Sequence, residues 1–473
     1  MTMKALLYTL LIFILFSCSQ ERTDDRIDSI DKFMQGQFEF FNFNGNILVA
    51  EKGKVIYKKS FGMADFTTNR PLNDSTMFEL CSVSKQFTAA AILILENQGK
   101  LSLRDSLRMY FPEFPYSNIT VEHLLTHTSG LPDHEKLMIN PDNWDQTKIS
   151  FNDDVINFLA NTKPSVNFEP GEKYEYSNTA YVLLASIVER VSGMTFKDFM
   201  AKNIFEPLGM KHSRVYNTIR SGEKINNYAL GYVWSNRHNR FVLPDSLSVY
   251  HFAYVFDGNM GDGYVSSTTT DLLKWDRALY NKTLLGEEGT KKMLSPHTLM
   301  DTVSNLSYGY GVRIGNDNFG QFITHSGGWP GYRTFLARYV KEDITIIVLS
   351  NDEANSNMIH NTLVNIMHRQ PIDYAYEHKS TKLESSGLNL FLGTFTPVDK
   401  TNLLPPRGDF TISTKSDSLF FNTGLILLPE SDSKIFSVKP KFRDIQFEVV
   451  NENGDTKYYL SRYGIKSELK KIR

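Results

Sequence analysis

A stretch in the first quarter of the chain, residues 87–95, constrains the fold more than any other feature. Nearly every residue in it is apolar or small, no polar face interrupts it, and Gly99 closes it. A helix that is apolar all round must be covered by protein on every side, and a glycine just past the last turn is a common helix end. The stretch therefore predicts a helix at the centre of a large domain.

The composition agrees with such a core. The chain has 473 residues, of which 41% are hydrophobic and 22% charged, which excludes a disordered or collagen-like chain. The length suggests about three units, or one large domain with an appendage. The formal net charge is only −2, so no global field favours nucleic acid or an anionic membrane surface, and nucleic-acid binding is not expected.

The N-terminus carries an apolar run, residues 5–17, too short for a transmembrane helix of ~20 residues but typical of a secretory signal. It ends in Leu15-Phe16-Ser17-Cys18, which resembles a bacterial lipobox, where cleavage leaves the cysteine N-terminal and lipidated. We therefore expect a lipoprotein signal peptide over residues 1–18 and a polar tether over residues 19–31. The alternative is ordinary export with Cys18 removed or free. The other cysteine, Cys81, then lacks a partner and is expected to be a packed thiol.

Two β-hairpins bracket the central part of the chain. Residues 47–50 and 55–57 predict the first, and residues 334–339 and 344–349 the second. Between them, residues 179–191 repeat apolar side chains at helical spacing and predict an amphipathic helix that covers the core. We expect one mixed α/β domain, residues 32–370, in which the terminal hairpins share an antiparallel sheet flanked by helices.

The last part of the chain has a different pattern. Residues 371–387 are polar and predict a linker, and residues 388–473 contain short strand-like runs separated by turns, without a helical period. We expect a separate β-barrel or sandwich there.

Ser82-Val83-Ser84-Lys85 stands at the start of the apolar helix. Backbone N–H groups in the first helical turn are unpaired and stabilise negative charge. A Lys side chain three residues further lies on the same face, and its neutral amine can act as a base for the Ser82 hydroxyl. Ser-x-x-Lys is common by chance, but the apolar helix behind it argues against a solvated turn.

Tyr176-Ser177-Asn178 precedes the second helix. In an extended segment residues two apart point the same way, so the phenol and the amide can enter one cleft. The tyrosine could relay a proton, and the Asn178 amide could bind substrate or hold Lys85. Alternatively, Asn178 caps the helix.

His325-Ser326-Gly327-Gly328 follows a strand-like run. Glycines allow a backbone to approach a ligand closely. The N–H groups of Gly328 and Ser82 could together form an oxyanion hole, although a Gly-Gly turn beside a histidine is frequent in ordinary loops.

The order Ser-x-x-Lys, Tyr-x-Asn, His-x-Gly resembles the serine β-lactamase and penicillin-binding-protein superfamily, in particular its class C-like branch with carboxylesterases, D-amino-acid peptidases and D,D-carboxypeptidases. The resemblance spans roughly residues 30–365. It is carried by residues 78–91, 124–131, 170–184, 204–210, 261–276 and 308–351.

The resemblance implies a serine hydrolase that works through an acyl-enzyme, without cofactor or metal. Ser82 would be the nucleophile, Lys85 its base and Tyr176 an assisting base, while the amides of Ser82 and Gly328 would bind the oxyanion. The substrate would be bound by Asn178, His325, Gly327 and Arg333.

One position departs from many β-lactamases, which have Lys where this chain has His325. A histidine is mostly neutral at pH 7, so strong β-lactamase activity is not expected, although Arg333 could supply a positive charge. The C-terminal segment resembles the lipocalin-like domain of some relatives. We expect a monomeric enzyme, anchored by lipid outside the cytoplasm, that acts on a peptide or small ester. The alternative is a penicillin sensor or wall-binding protein that acylates without turnover.

Two further groups of residues resemble functional sites. His123 and His127 have the spacing of zinc ligands on a helix, but Leu124 occupies the place where a zincin has glutamate, so packing or capping is expected. A neighbouring group of carboxylates is interpreted as a solvated acidic turn: Glu169, Glu172 and Glu175.

Overall fold

The computed structural model describes residues 24–216, 218, 220, 223–398, 408–415, 418–422, 424–437, 445–452 and 454–473. The predicted signal peptide, its Cys18 and the first part of the predicted tether lie outside these residues. The α-helices are α1 Asp25–Phe41, α2 Lys85–Asn97, α3 Leu107–Tyr110, α4 Val121–Leu125, α5 His134–Met138, α6 Asn152–Thr162, α7 Asn178–Ser192, α8 Phe196–Met200, α9 Phe252–Val255, α10 Thr269–Tyr280, α11 Gly286–Met293, α12 Ser356–Met367 and α13 Ser385–Leu388.

The strands fall into a first group before the linker and a second group after it. The first group is β1 Gly45–Glu51, β2 Lys54–Phe61, β3 Met63–Asp65, β4 Arg70–Pro71, β5 Phe78–Glu79, β6 Arg214–Val215, β7 Val233–Ser235, β8 Arg240–Val242, β9 Val265–Ser267, β10 Thr298–Asp301, β11 Leu306–Tyr308, β12 Arg313–Asp317, β13 Gly320–Trp329, β14 Tyr332–Tyr339 and β15 Ile344–Ser350. The second group is β16 Gly393–Pro397, β17 Phe410–Lys415, β18 Ser418–Phe421, β19 Leu425–Ser431, β20 Lys434–Ser437, β21 Ile445–Glu452, β22 Asp455–Arg462 and β23 Ile465–Lys471.

The main sheet joins the two ends of the large domain. Within the described residues its strand order is β10-β11-β12-β13-β14-β15-β1-β2, and β1 pairs antiparallel with β15. The expected sharing of one sheet by the two hairpins is thus confirmed. Alternate residues of β1 point to opposite faces: Leu48 packs toward the helices around α2, whereas Ile47 and Val49 pack toward α1 and α12.

The central helix is confirmed, and its neighbour differs from expectation. Helix α2 is buried from Lys85 to Leu93, as its sequence requires. Helix α7 was expected to cover the core with one face, but the residues from Thr179 to Val188 are all buried. The reason is that α2, α4, α6 and α8 pack around it, so its polar positions are covered as well. Gly193 ends it in the left-handed conformation, with φ 69°.

The C-terminal strands close into a barrel rather than a sandwich, with eight strands in the part of the chain that is described. Its interior is apolar and includes Phe395, Phe410 and Phe447. The turn between β22 and β23 contacts the linker, where the carbonyl of Gly464 accepts the N–H of Asp373 at 2.8 Å.

Residues 24–31, which were predicted to belong to the tether, are part of the folded domain instead. Residues 25–31 form the first turns of α1, Asp24 caps that helix through its side chain, and Ile30 is fully buried. The apolar side chains of α1 provide the reason, since they pack on the outer face of the main sheet. No helix among the described residues has the length and hydropathy needed to cross a membrane.

Candidate active site

Ser82 lies in a tight 3-10 turn, Cys81–Ser84, that leads into α2. The expectation placed it in the first turn of the α-helix itself. The difference arises at Cys81, whose φ of 51° lies in the left-handed region, a conformation that costs energy for a residue with a side chain. The Glu79 carboxylate holds this backbone, since its Oε1 accepts the N–H of Cys81 at 2.9 Å and that of Tyr264 at 2.7 Å.

Lys85 is fully buried and contacts three oxygens. Its Nζ lies 3.3 Å from Ser82 Oγ, 2.9 Å from Asn178 Oδ1 and 2.7 Å from the carbonyl oxygen of Asp262. The ring of Tyr176 covers the amine, with its centroid 4.9 Å away. The serine, the lysine and both residues of the second motif therefore meet at one point.

The second motif begins α7. Ser177, and not Asn178, is the helix cap, because its hydroxyl accepts the N–H of Ala180 at 3.1 Å. This leaves the Asn178 amide free to face Lys85 with its oxygen, while its Nδ2 donates to Glu135 Oε1 at 3.3 Å.

The Tyr176 ring lies against the His127 ring, with centroids 4.3 Å apart. Its hydroxyl is buried and has no hydrogen-bond partner among the residues that the structure describes. A phenol in this position can exchange a proton with a group that enters the site.

The third motif is part of strand β13 and not a turn. Gly327 faces the nucleophile turn, where a Cβ on it would lie 2.2 Å from the carbonyl oxygen of Leu80. Only a glycine allows the strand to approach that closely. The next residue, Gly328, lines the same cavity as Ser82.

His325 is not among the described residues that line this cavity, and its expected role in substrate binding stays a prediction. Its side chain is fully buried, Nδ1 lies 2.7 Å from the carbonyl oxygen of Ser326, and Nε2 lies 3.0 Å from the Tyr308 hydroxyl. Burial lowers the pKa of His325 well below its usual value, and nearby Arg313 and Lys85 lower it further. The imidazole is therefore neutral, and it packs between Tyr308 and the backbone of β13.

Arg333 lies opposite Gly328 in the strand pair β13–β14. Its Nη1 donates to the carbonyls of Trp329 and Tyr332, both at 2.8 Å, and its side chain is not among the described residues that line the cavity. The guanidinium thus braces the end of β13, and the positive charge expected from it is directed to backbone carbonyls.

The cavity beside Ser82 has a volume of about 150 Å³. Its walls combine the nucleophile turn, the end of β13 and the segment before β9. The lining residues are Glu79, Cys81, Ser82, Glu135, Asn178, Phe256, Asn259, Asp262, Gly263, Tyr264, Gly328 and Trp329.

Three carboxylate residues of this cavity, Glu79, Glu135 and Asp262, were missed by the sequence reasoning. Burial raises the pKa of Glu79 and that of Glu135 to about 8, and neighbouring Asp262 adds to both shifts. A clue was available for Glu79, which directly follows a strand-like residue and stands three positions before the nucleophile. Glu135 lies on the short helix α5 and Asp262 in a loop. Neither segment has a periodic sequence pattern, so only the three-dimensional fold brings these residues to Ser82.

The other residues that the sequence analysis singled out have structural roles. His123 Nδ1 accepts the N–H of Thr120 at 3.2 Å, and His127 Nδ1 accepts the N–H of Ser177 at 3.0 Å. No cluster of three or more His, Cys, Asp or Glu in the described ranges is arranged to hold a metal. The carboxylates of the acidic turn are exposed, as expected: Glu169, Glu172 and Glu175. Cys81 is a buried thiol, and burial raises its pKa well above the usual value.

Comparison with known proteins gives consistent matches. A family model described as "Beta-lactamase" matches residues 44–365. The chain is 37% identical to "Penicillin-binding protein 4*" of Bacillus subtilis (strain 168), over 86% of this chain and 91% of that protein. It is 27% identical to "D-aminopeptidase" of Brucella anthropi, over 68% of this chain and 58% of that protein. A crystal structure of a penicillin-binding protein from Bacillus halodurans superposes with a TM-score of 0.63 at 26% identity, covering 71% of this chain and 98% of that one.

Proposed function

The chain belongs to the beta-lactamase family, and we propose that it is a serine hydrolase that cleaves an amide or ester bond through an acyl-enzyme on Ser82. The observation that carries the proposal is the placement of a buried amine, Lys85 Nζ, 3.3 Å from the Ser82 hydroxyl and 2.9 Å from Asn178. The relatives named D-aminopeptidase and penicillin-binding protein support an amide or peptide substrate.

In the first step, Ser82 Oγ attacks the substrate carbonyl while its proton moves to Lys85. The negative charge on the carbonyl oxygen is held by the backbone N–H groups of Ser82 and Gly328, which both line the cavity. Collapse of this intermediate breaks the bond to the leaving group, which takes up the proton. The Tyr176 hydroxyl, buried and without a described partner, is the group through which that proton can pass.

In the second step, water attacks the acyl group on Ser82. The same two residues, Lys85 and Tyr176, accept the proton of the water, and Ser82 regains its hydrogen as the acid leaves. Asn178 orients the substrate and holds Lys85 at the same time, because its oxygen already contacts the amine.

The test compares the wild-type protein with the Ser82→Ala variant on a chromogenic ester and on a D-amino-acid anilide. We expect sustained wild-type turnover and a fall of at least about a thousandfold in the variant. Intact-mass measurement should detect an acyl adduct on the wild type alone. Ser433→Ala, an exposed barrel serine, is the matched control and should behave as wild type. Equal turnover by Ser82→Ala would refute the mechanism, and a single stoichiometric burst would indicate a sensor.

We also propose that the protein is exported and anchored by lipid on Cys18, with the large domain, residues 32–370, and the barrel domain, residues 388–473, outside the cytoplasm. The sequence Leu15-Phe16-Ser17-Cys18 after an apolar run supports this proposal. Metabolic labelling with a fatty acid should mark the wild type and not the Cys18→Ser variant, and the label should follow the membrane fraction. Equal labelling of both proteins would contradict the anchor.

A further inference from the structure

The cavity beside Ser82 is acidic. Three of its lining residues carry carboxyl groups, namely Glu79, Glu135 and Asp262, and none of the described residues that line it is Lys or Arg. The nearest amine, Lys85, is fully buried and directed to Ser82, Asn178 and a backbone carbonyl. A negatively charged substrate group would therefore find no cationic side chain to pair with there, whereas a substrate ammonium would find carboxyl groups that can ionise beside it.

Two carboxylate oxygens around the cavity have no partner within the part of the chain that the structure describes. Glu79 is only 3% exposed, and its Oε2 is buried without a hydrogen bond. The Oδ1 of Asp262 is also buried without one. Buried polar oxygens are normally paired, because an unpaired one forfeits its hydration, so a ligand that brings a hydrogen-bond donor would supply the partner that these two lack.

The same cavity has aromatic walls, formed by Phe256, Tyr264 and Trp329. Aromatic faces attract cations as well as apolar groups. A volume of about 150 Å³ corresponds to a few water molecules, which suits a small cationic head group and not a long chain.

We infer that this cavity binds a free ammonium group of the substrate, close to the carbonyl that Ser82 attacks. The preferred substrates are then amides or peptides with an unblocked amine on the residue that acylates the enzyme, rather than compounds recognised by a carboxylate. This inference rests on the proposed function and specifies its substrate class. Glu135 and Asp262 are assigned as the main partners of the ammonium, with Glu79 as a third carboxyl group in the same cavity.

Binding is measured by titration calorimetry on the Ser82→Ala protein, which cannot turn the ligand over. The probes are D-phenylalanine amide, its N-acetyl derivative and N-acetyl-D-phenylalanine, which differ in having an ammonium, no charge and a carboxylate. We expect the free amine to bind at least about tenfold more tightly than the N-acetyl amide, and the carboxylate to bind weakest.

Two substitutions test whether the carboxyl groups cause the preference for the free amine. Asp262→Asn keeps the backbone carbonyl that accepts from Lys85, and Glu135→Gln keeps an oxygen for Asn178. Each, added to Ser82→Ala, should reduce the preference for the free amine several-fold while leaving the affinity for the N-acetyl amide nearly unchanged. The matched control is Glu172→Gln in the exposed turn, which should keep the full preference.

Equal or tighter binding of the N-acetyl amide, or an equal loss for both amides in Asp262→Asn and Glu135→Gln, overturns the inference. Turnover of p-nitrophenyl acetate, a neutral ester, by the otherwise wild-type protein reports on the proposed function separately. Ester turnover without amine selectivity therefore rejects the ammonium site alone. Amine selectivity without any ester or amide turnover supports the site and rejects the hydrolase.

Discussion

Gly327 and Gly328 are neighbours in sequence but differ in what surrounds them. A Cβ at Gly327 would lie 2.2 Å from the Leu80 carbonyl oxygen and 2.2 Å from Thr334 Oγ1, whereas at Gly328 the nearest atom would be 3.7 Å away on Arg333. Gly327→Ala must therefore separate β13 from the nucleophile turn, and we expect a loss of about 1–3 kcal/mol in the free energy of unfolding. Gly328→Ala should change it by less than about 0.5 kcal/mol. Urea unfolding followed by circular dichroism measures both, and equal stabilities would contradict this reading.

The third motif also indicates what a sequence can and cannot reveal about single residues. The motif was located correctly, and Gly328 lies beside Ser82 in the cavity. The alternative of a loop turn arose because consecutive glycines are typical of turns, and the position of the motif inside β13 excludes it. The burial of His325 depends on Tyr308, on a different strand, and no local pattern encodes that contact. The side-chain contacts of His325 were therefore not predicted.

Glu79 gives a prediction about pH. Its pKa rises from 4.5 to about 8 because the carboxyl group is buried, with Asp262 and Asp257 adding repulsion. Between these two values the folded protein binds more protons than the unfolded chain, so Glu79 lowers the stability as the pH rises from about 4.5 to about 8. The full effect is about 3–5 kcal/mol.

Glu79→Gln removes this titration while keeping an oxygen for the N–H groups of Cys81 and Tyr264. Its melting temperature should therefore fall less than that of the wild type between pH 5 and pH 9. Differential scanning calorimetry across that range measures the two slopes. Glu172→Gln, in the exposed turn, should keep the wild-type slope, and a wild-type slope for Glu79→Gln as well would show that its carboxyl does not titrate in this range.

At the scale of elements, a buried ion-pair network attaches α10 to the main sheet. Asp276 on α10 contacts Arg338 of β14, accepts from Thr345 of β15 at 2.7 Å, and pairs with Arg277 at 3.0 Å. Asp343 completes the network at 2.7 Å from Arg338. Asp276 and Arg338 are only 5% and 6% exposed. Loss of the Asp276 charge would leave two guanidinium groups, those of Arg277 and Arg338, facing the one carboxylate of Asp343 in a poorly hydrated place.

We therefore expect Asp276→Asn to cost about 3–5 kcal/mol of unfolding free energy. The matched substitution Asp142→Asn, on an exposed loop, should cost less than about 0.5 kcal/mol. Chemical denaturation at low and high salt distinguishes the two sites, because a buried pair is screened less than an exposed one. A cost below about 1 kcal/mol for Asp276→Asn would mean that Asp343 alone compensates Arg338.

Helices and strands could be predicted from the sequence where their residues follow a local periodic pattern. The apolar run behind Lys85 and the two hairpins were placed correctly because each satisfies its own pattern. The burial of α7 on both faces was not predicted, since its Thr and Ser positions look solvent-facing until neighbouring helices cover them. The start of α1 at Asp25 was not predicted, because its acidic residues are typical of a polar tether as well as of a helix N-terminus.

At the scale of the whole molecule, the large domain and the barrel touch through a small contact. Tyr463 and Ile465, at the turn between β22 and β23, pack on Met358 of α12, and the Thr362 hydroxyl donates to the Tyr463 carbonyl at 2.5 Å. Helix α12 lies on the face of the sheet opposite to α2. None of the described barrel residues lines the cavity beside Ser82.

A chain that ends at Lys382 should therefore keep the turnover of the neutral ester close to that of the longer protein. Its melting temperature should fall by several degrees, because Met358 and the Thr362 side chain lose their cover and roughly 1–3 kcal/mol of packing. Steady-state kinetics and thermal unfolding of both forms measure the two effects separately. A matched variant of the full chain, Ile465→Ala, removes only the apolar contact and should reproduce part of the thermal loss with normal kinetics. If the shortened chain keeps its circular dichroism spectrum but loses ester turnover, the barrel shapes the active site at a distance, and the assignment of the chemistry to residues 32–370 alone is wrong.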